Sequence, residues 1–556
     1  MQNKPSRILW FQSWISRKAN VITAGFVVIF LVTGILTLPN YGLTWNEGLG
    51  NLFFGERYLH YFKSLNPVNL DFAAELSYNQ DHPLNLFNSP YRDSPEEFPP
   101  VADTLSAATM YLFSYTLGWV NPIDGFHAFT VILAAIFLWV LYLFAAPRLG
   151  RFEAFLAVAF LGLFPRFWGD MHFNNKNVPE TIFFGLVMIS YISWMEKPGW
   201  RKAILTGVLG GMALGTKANA IFIPVILLIG LLPWNFDAQS WKNLWVHLKQ
   251  YVGQYLSMIL AAAIFYIASW PYLYADPYNH LKSYWSYIFS QGDRSGEASF
   301  NIDSIRQVLF SMPEIMLVAL LIGIVLALTK IKEPFWRILI AWLVFPILRA
   351  SLPGMVNFDG IRHFLEFIPA AALLAGYGIG RASAWLSTRK ISMYLSRAIF
   401  GALLLFNMLG IYLTYFPYLH IYYNQLSGGL AGARNGWLGA DAGDYWASSY
   451  RQGMAWLSQN TPEGSMVRGM TAGWLVELSA PVFLRPDQQV MTLKDLPDFT
   501  TLEKSETPIY LMFAIRDGSD FLDKLAYCQN YKPPAYQIIV DDVPILQIFK
   551  FGKNIQ

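Results

Sequence analysis

Long apolar runs recur along this chain, and they constrain its fold more than any other feature of the sequence. A helix needs about 20 mainly apolar residues to cross a hydrocarbon core roughly 30 Å thick. The candidate spans lie near residues 21–38, 126–146, 152–165, 179–195, 201–215, 218–234, 253–271, 313–330, 334–350, 362–380 and 396–417. Composition agrees, because 54% of the 556 residues are hydrophobic and 14% are charged, whereas an average soluble domain is roughly 25% charged. The sequence therefore predicts a polytopic α-helical membrane protein with about 11 transmembrane helices.

The segment 103–120 is a twelfth apolar candidate, and the distribution of positive charge decides how it lies. Lys and Arg residues near the N-terminus predict that this end is cytoplasmic. No small-residue cleavage site follows 21–38, so we expect that run to remain as the first span. Leaving 103–120 out of the spans places five positively charged connections inside, and counting it moves all of them outside. These connections are 147–153, 196–203, 235–252, 330–333 and 381–397. We therefore expect 103–120 to lie at the extracytoplasmic membrane interface without crossing.

This topology places the long polar connections on one extracytoplasmic side. They are residues 39–125, 166–178, 272–312 and 351–361, joined by the chain after 418. Beyond 418, a helix is expected at 444–460 and strands at 465–470, 488–493, 508–515, 536–540 and 545–551, with a hairpin turn at 541–544. Short apolar runs bounded by turn residues are typical of strands. We therefore predict a membrane domain over 1–417 with a large first outer loop at 39–125, and an extracytoplasmic α/β domain over 418–556.

Several functional classes have no support in the sequence. The formal net charge of +3 is too small to indicate a nucleic-acid partner. The single cysteine, Cys528, cannot form an intramolecular disulfide and is expected to be a buried thiol. No His and carboxylate pair has the spacing of a strong zinc site. We therefore predict no cofactor and no essential protein-bound metal, although a glutamate with water could hold a divalent ion.

Polar side chains gather in the predicted outer connections. Ionisable groups at the mouth of a helical bundle are costly to desolvate and tend to mark a substrate path or a reaction site. The candidate site residues are Asn46, Glu47, His82, His172, Asn174, Lys176, Asn177, Asp359, Arg362 and His363. Each also has a structural interpretation, as a solvated interface residue, a snorkelling cation or a histidine that supports the fold.

These candidate residues suit the transfer of a group from a lipid-linked phosphate. Such a reaction needs cations that receive the charge on the phosphate and a carboxylate that takes a proton from the acceptor. Glu47 is the predicted base, and Lys176 and Arg362 are the predicted phosphate partners. No general acid is needed, because a phosphate ester leaves as a stable anion. Amide and imidazole groups can hydrogen-bond the hydroxyls of a sugar.

Several segments, taken in order, resemble a known family. They are LTWNEG (43–48), HP (82–83), PRFWGDMHFNNKNVPETIFF (165–184), LGTKANAIFIP (214–224), WPYLYADPYNHL (270–281), DGIRHFLEFIPAAALLAGYGI (359–379) and YYNQLSGG (422–429). Together they resemble the polyprenyl-phosphate-dependent GT-C glycosyltransferases, a group similar to the protein O-mannosyltransferases and the lipid A aminoarabinose transferase. No motif is specific alone, and the resemblance rests on their order and spacing over most of residues 1–460.

The resemblance implies a function and a membrane. A polyprenyl-phosphate-linked sugar would enter from the lipid, and its sugar would pass with inversion to an unknown acceptor (a protein, a lipid or a glycan) on the extracytoplasmic side of a bacterial plasma membrane. The catalytic carboxylate is expected in the acidic pair after the first span. This chain has Asn46-Glu47 where the family usually has Asp-Glu, and Lys176-Asn177 where relatives often have Lys-Asp. Either Glu47 takes the proton while Asn46 orients the acceptor, or the protein binds a lipid-linked sugar without transferring it.

A transporter or flippase of lipid-linked sugars is the alternative from another functional class. A transporter is expected to place polar groups at the midplane of broken helices and often shows repeated halves. This chain concentrates them in its outer connections, which favours chemistry at the membrane surface. Lys217 and Asn219 fit either a translocation path or a tight outer turn.

Overall fold

The computed structural model describes residues 7–74, 76, 78, 94–235, 237–294, 299–355, 358–389, 391–439, 442–492, 498–516 and 521–552. Its first part is helical. The helices are α1 (Arg7–Thr37), α2 (Leu52–Ser64), α3 (Val101–Met110), α4 (Pro122–Leu149), α5 (Arg151–Leu163), α6 (Pro165–Asp170), α7 (Asn177–Glu196), α8 (Trp200–Leu214), α9 (Ile223–Leu231), α10 (Ala238–Ser269), α11 (Pro277–Arg294), α12 (Asp303–Ser311), α13 (Glu314–Leu328), α14 (Pro334–Ala350), α15 (Ile368–Thr388) and α16 (Met393–Tyr415). Single helical turns include π-helices at Glu47–Asn51 and Tyr111–Thr116 and 3-10 helices at Ala218–Phe222 and Arg362–Phe367.

Each of the predicted apolar runs overlaps helical structure. Among the described residues, six helical segments are long and apolar enough to cross a membrane alone, and the pair α12 and α13, bent by 116°, is a further broken candidate. The six are Lys18–Asn40, Pro122–Leu149, Asn177–Glu196, Ala238–Ser269, Arg362–Thr388 and Met393–Tyr415. Helices α5, α8 and α14 have 13, 15 and 17 residues, and somewhat short helices are tolerated inside a bundle. The predicted polytopic helical fold is confirmed, and the count of about 11 spans stays a prediction.

The segment 103–120 begins and ends in the same cluster of connections. Near its start, Lys176 Nζ lies 2.7 Å from a carboxylate oxygen of Asp103. Just beyond its end, Asp124 pairs with Arg451, which also donates a hydrogen bond to the carbonyl of Tyr41 at 3.1 Å. The ring of Tyr41 stacks on His172, four residues before Lys176, with 4.1 Å between centroids. The path of the chain therefore agrees with a helix that lies at the interface.

The C-terminal part is a small α/β unit. Its helices are α17 (Gly429–Asn435), α18 (Tyr450–Asn460), α19 (Trp474–Phe483), α20 (Phe499–Glu503) and α21 (Leu522–Tyr531), and its strands are β1 (Met466–Gly469), β2 (Gln489–Val490), β3 (Ile509–Ala514), β4 (Tyr536–Val540) and β5 (Val543–Phe551). The strand order is β2-β1-β3-β5-β4. β1 runs parallel to β2 and β3, whereas β5 runs antiparallel to β3 and β4. All five strand predictions and the β4–β5 hairpin are confirmed.

The burial of the strands in this sheet explains their different patterns of apolar residues. Every residue of the central strand β3 is buried, whereas half-buried and exposed positions alternate along the first four residues of the edge strand β4. A strand covered on both faces reads as a continuous apolar run, and an edge strand alternates. Cys528 on α21 is buried and free, as predicted.

The predicted helix at 444–460 begins only at Tyr450. Asp444 accepts a hydrogen bond from the backbone N–H of Ser449 at 2.7 Å, and Ala447 has a left-handed φ of 59°. A side chain that satisfies a nearby N–H competes with helix formation, so the first six residues of that segment form a turn.

One apolar core joins the C-terminal unit to the first connection. Leu52 and Phe98 pack in the same cluster as Val467, Met512 and Ile548 of the sheet. The sheet is therefore seated on the ends of the helical bundle. The boundary at residue 418 stays a prediction.

Glycines on one face of α8 allow α10 to approach closely. Gly207, Gly211 and Gly215 are four residues apart, a spacing that predicts close helix packing. A Cβ atom at Gly207 would lie 2.3 Å from the carbonyl oxygen of Met258, and one at Gly211 would lie 2.7 Å from that of Ala262. The helix backbones are in contact there, so no side chain fits between them.

We expect Gly207→Ala to lower the stability of the protein by about 1–3 kcal/mol, because the added methyl forces two backbones apart. Gly210→Ala is the matched control on the same helix, since its Cβ would meet Ala262 at 3.7 Å. That control is expected to be neutral or to stabilise by up to about 1 kcal/mol through helix propensity. Thermal denaturation of purified protein in detergent measures both. Equal denaturation midpoints for the two variants would contradict the packing argument.

Candidate functional site

A cavity of about 330 Å³ lies where the first connection, the start of the segment Arg362–Thr388 and the C-terminal unit meet. Its lining residues are Trp45, Asn46, Leu49, Phe358, Asp359, Arg362, Tyr445, Trp446, Thr471 and Arg516. Thr471 and Arg516 lie two residues beyond the carboxyl ends of the parallel strands β1 and β3. Ligands commonly bind at that edge of a parallel sheet. The cavity combines aromatic faces with amide, carboxylate and guanidinium groups.

Asn46 and Glu47 point to different surroundings. Asn46 lines the cavity, whereas Glu47 is only 1% exposed. One carboxylate oxygen of Glu47 accepts hydrogen bonds from the backbone N–H and the hydroxyl of Thr44 at 2.9 and 2.8 Å. The other lies 2.8 Å from Nε2 of His127 on α4. The π-helical turn at Glu47–Asn51 thus holds Glu47 in the protein interior and presents its neighbour to the cavity.

Asp359 brings a carboxylate to the cavity. Its two oxygens lie 2.6 Å from Nη2 of Arg362 and 3.2 Å from Nη2 of Arg516. Asp359 has a φ of 57°, a left-handed conformation that costs energy for most residues and that Asp tolerates better. Among the described residues that line the cavity, Asp359 is the only one that carries a carboxylate.

Aromatic rings hold both arginines in place. The guanidinium carbon of Arg362 lies 4.6 Å from the ring centre of Trp446 and 5.0 Å from that of Phe358. That of Arg516 lies 5.0 Å from the ring centre of Trp45. Cation–π contacts orient a guanidinium without consuming its N–H donors. Both cations therefore keep donor groups for a further anionic partner.

Lys176 belongs to a separate, buried cluster. Its ammonium donates to the carbonyl of Pro99 and to Asp103, at 2.5 and 2.7 Å. Asp103 also accepts hydrogen bonds from the amides of Asn51 and Asn175 at 3.0 and 2.9 Å. Burial raises the pKa of Asp103 and lowers the pKa of Lys176, and their mutual attraction opposes both shifts. The structure therefore does not bring Lys176 to the cavity beside Arg362.

A second cluster of charges connects Asn177 with the outer end of α14. Lys217 donates to the Asn177 side chain at 2.6 Å, and Arg349 lies 3.5 Å from Glu366. Burial lowers the pKa of Lys217 to about 8, an effect that Glu366 and Glu180 oppose. Glu180, Arg349 and Glu366 are not among the site residues that the sequence predicts. Charges within otherwise apolar segments are the signal that could have found them.

The remaining predicted residues lie around these clusters. The side chain of Asn174 accepts a hydrogen bond from the N–H of Asn177 at 2.9 Å, which fixes the start of α7. His363 accepts hydrogen bonds at its backbone carbonyl from Asn219 and Arg349, both at 2.8 Å. His82 lies outside the described residues. Of the predicted set, Asn46, Asp359 and Arg362 share the cavity lining.

His172 is buried against the end of α1. Its ring nitrogens lie 2.7 Å from the carbonyl of Trp168 and 2.9 Å from the hydroxyl of Thr37. Burial lowers its pKa to about 3, so the ring is neutral near pH 7. Its contacts join two connections that are far apart in sequence.

Metal binding is not indicated by the described side chains, among which no group of three His, Cys, Asp or Glu residues is arranged to hold an ion. Metal independence stays a prediction.

Comparisons with known proteins identify the fold. A family model described as "Dolichyl-phosphate-mannose-protein mannosyltransferase" matches residues 97–270. The crystal structure of ArnT from Cupriavidus metallidurans bound to undecaprenyl phosphate overlaps 95% of this chain and 97% of its own, with a TM-score of 0.52 and 13% sequence identity. The archaeal oligosaccharyltransferase AglB from Archaeoglobus fulgidus overlaps 90% of this chain and 70% of its own, with a TM-score of 0.47 and 12% identity. Comparison with curated protein sequences gives no significant match.

The predicted resemblance to the GT-C glycosyltransferases is confirmed. The family model covers part of the membrane domain and the ArnT overlap covers nearly all of the chain, so the fold is GT-C-like with a C-terminal α/β unit. Arg516, Tyr445 and Thr471 escaped sequence reasoning, because only the tertiary structure brings the C-terminal unit to the first connection.

We expect Lys176→Met to destabilise the protein by about 3–5 kcal/mol, because it leaves the Asp103 carboxylate buried without its cation. The double variant Lys176→Met/Asp103→Asn removes both charges and should recover much of that loss. Denaturation midpoints of the two single variants and the double variant give the coupling energy. Independent, additive losses would show that the pair is not an energetic unit.

Stability should fall as the pH drops below about 6.5, in part because of His172. Its pKa is about 3 in the folded protein and about 6.5 in an unfolded chain, so the unfolded state binds the proton first. One such group contributes a slope of up to about 1.4 kcal/mol per pH unit between these values. Denaturation midpoints at pH 5 and pH 7.5 should differ less in His172→Gln than in the native chain. If the midpoints of the variant differ between the two pH values as much as those of the native chain, groups other than His172 cause the loss of stability at low pH.

Proposed function

We propose that this chain is an inverting membrane glycosyltransferase that moves a sugar from a polyprenyl-phosphate-linked donor to an acceptor in the cavity beside Asn46, Asp359 and Arg362. The observation that carries the proposal is this cavity, which is lined by groups that suit both parts of such a donor. Its volume of about 330 Å³ falls in the range of small-molecule sites, about 300–1,000 Å³. The GT-C-like fold supports the reaction class.

The lining divides into a sugar-binding and a phosphate-binding part. The rings of Trp45 and Trp446 offer apolar faces, and Asn46 and Thr471 offer hydrogen-bonding groups for hydroxyls. Arg362 and Arg516 can bind the phosphate through several N–H groups at once. The ArnT structure of similar fold holds undecaprenyl phosphate, which supports a lipid-linked donor here.

The cavity lies at the membrane ends of the bundle, which suits a donor that arrives through the lipid. Asn46 follows the segment Lys18–Asn40, and Arg362 begins the segment Arg362–Thr388. By the charge distribution of the connections, this end faces the extracytoplasmic side. The acceptor, whether protein, lipid or glycan, would approach from the side of the C-terminal unit.

Binding without transfer and transport are the competing functions. Glu180 and Glu366 are the polar groups nearest to a transport-like arrangement, but they lie within the first five residues of the segments Asn177–Glu196 and Arg362–Thr388. Transporter sites are expected near the midplane instead. The position of the charged groups thus favours chemistry at the membrane surface.

The direct test supplies the native chain, in membranes, with radiolabelled polyprenyl-phosphate sugars and measures the release of polyprenyl phosphate and the transfer of label. Arg362→Ala should raise the KM for the donor roughly 10- to 100-fold, since a charged hydrogen bond contributes about 1.5–3 kcal/mol. Arg306→Ala is the matched control, because Arg306 pairs with Asp303 at an exposed site outside the cavity lining. Binding of the donor without any turnover would favour the non-catalytic binder, and vesicle-to-vesicle movement of intact donor would favour transport.

A further inference from the structure

We propose that Asp359, rather than the first-loop pair Asn46-Glu47, supplies the carboxylate that takes the acceptor proton, and that the donor phosphate frees this carboxylate by drawing its arginine partners away. The proposal rests on the glycosyl transfer proposed above and names the residue that performs its proton transfer. Asp359, Arg362 and Arg516 form one paired group on the cavity wall.

The first-loop pair does not offer a base to the cavity. Asn46 lines the cavity, but an amide cannot accept a proton at neutral pH. Glu47 carries a carboxylate, but this carboxylate does not face the cavity. One of its oxygens accepts two hydrogen bonds from Thr44, and the other faces His127. A general base must come within hydrogen-bond reach of the proton that it removes. Glu47 is therefore a positioning residue that fixes the turn which presents Asn46.

Asp359 is placed where its carboxylate can reach the proton of a bound acceptor. It lines the same cavity as Asn46, so an acceptor that hydrogen-bonds the Asn46 amide can approach the carboxylate. The left-handed backbone at Asp359 holds its side chain between two cations. A strained conformation at a ligand site is often part of its mechanism. Gly360 follows, and a Cβ there would lie 2.2 Å from the Arg166 guanidinium, so the loop cannot shift freely.

Before the donor binds, both carboxylate oxygens of Asp359 are paired with arginines. A donor phosphate offers a stronger charge-assisted partner for the same guanidinium groups. When Arg362 or Arg516 turns to the phosphate, one carboxylate oxygen of Asp359 becomes free to accept a hydrogen bond from the acceptor. Donor binding and activation of the base are then one event.

The chemical step is balanced with these groups alone. The oxygen or nitrogen of the acceptor forms a bond to the anomeric carbon while the bond between that carbon and the phosphate oxygen breaks. The electron pair of the broken bond leaves with the polyprenyl phosphate, whose charge Arg362 and Arg516 receive. The proton of the acceptor passes to the Asp359 carboxylate and leaves to solvent after the product departs.

The test compares five chains by steady-state release of polyprenyl phosphate from the radiolabelled donor. They are the native chain, Asp359→Asn, Glu47→Gln, Asp303→Asn and the double variant Asp359→Asn/Asn46→Asp. Asp359→Asn should lower kcat about 10²- to 10⁴-fold, as loss of a general base does, without raising the KM for the donor. Glu47→Gln should lower kcat less than about tenfold and reduce the denaturation midpoint. Asp303→Asn, an exposed carboxylate paired with Arg306, controls for the substitution itself.

A rescue variant distinguishes a catalytic role of Asp359 from a structural one. Asn46→Asp in the Asp359→Asn background returns a carboxylate to the same cavity, so it should recover at least tenfold of the lost kcat. A purely structural role of Asp359 predicts no rescue, and denaturation midpoints and donor binding show whether each variant is folded.

The outcomes separate the two proposals. If the native chain releases polyprenyl phosphate and Asp359→Asn releases it at a similar rate, the assignment of Asp359 is overturned and the proposed function stays intact. A loss of kcat in Glu47→Gln as large as in Asp359→Asn, with no rescue by Asn46→Asp, would return the base to Glu47. No release from any donor by the native chain would overturn the proposed function and this assignment with it.

Discussion

Paired charges between distant connections hold the end of the helical bundle together, and the candidate site depends on them. Lys176 pairs with Asp103, Arg451 with Asp124, and Arg516 with Asp359, with partners up to 327 positions apart. A charge buried without a partner costs several kcal/mol, so these pairs strongly restrict how the connections can be arranged. The cavity lies where two of these connections, 39–125 and 351–361, meet the C-terminal unit.

The site differs from the other clusters in what its charges can still do. Lys176 and Asp103 are enclosed by amide and carbonyl partners, which use their hydrogen-bonding capacity. Arg362 and Arg516 are held by aromatic rings and by a single shared carboxylate beside open space. In the proposed reaction, these two arginines exchange the carboxylate of Asp359 for the phosphate of the donor. The same physical rule therefore produces a rigid support in one place and the candidate binding site in the other.

The elements that a single local rule governs could be predicted from the sequence. Apolar runs such as 126–146 and 396–417 marked helices, and β3 to β5 followed from short apolar runs and a turn. Prediction from the sequence was weaker for side chains, since residues next to one another, such as Asn46 and Glu47, face different surroundings in a π-helical turn. Spacing gave the segments that form the site, but it did not decide which carboxylate faces the cavity.

The sequence by itself determined the class of the protein, its helical segments, the strands of the C-terminal unit and the connections that carry the polar groups. These properties follow from the thickness of a membrane and from the periodicity of helices and strands. The tertiary structure alone decided that Arg516 and Thr471 join Asn46, Asp359 and Arg362, and that Lys176 pairs with Asp103. Two charges pair because they are close in space. When the two residues are hundreds of positions apart in sequence, no local pattern predicts that they will pair.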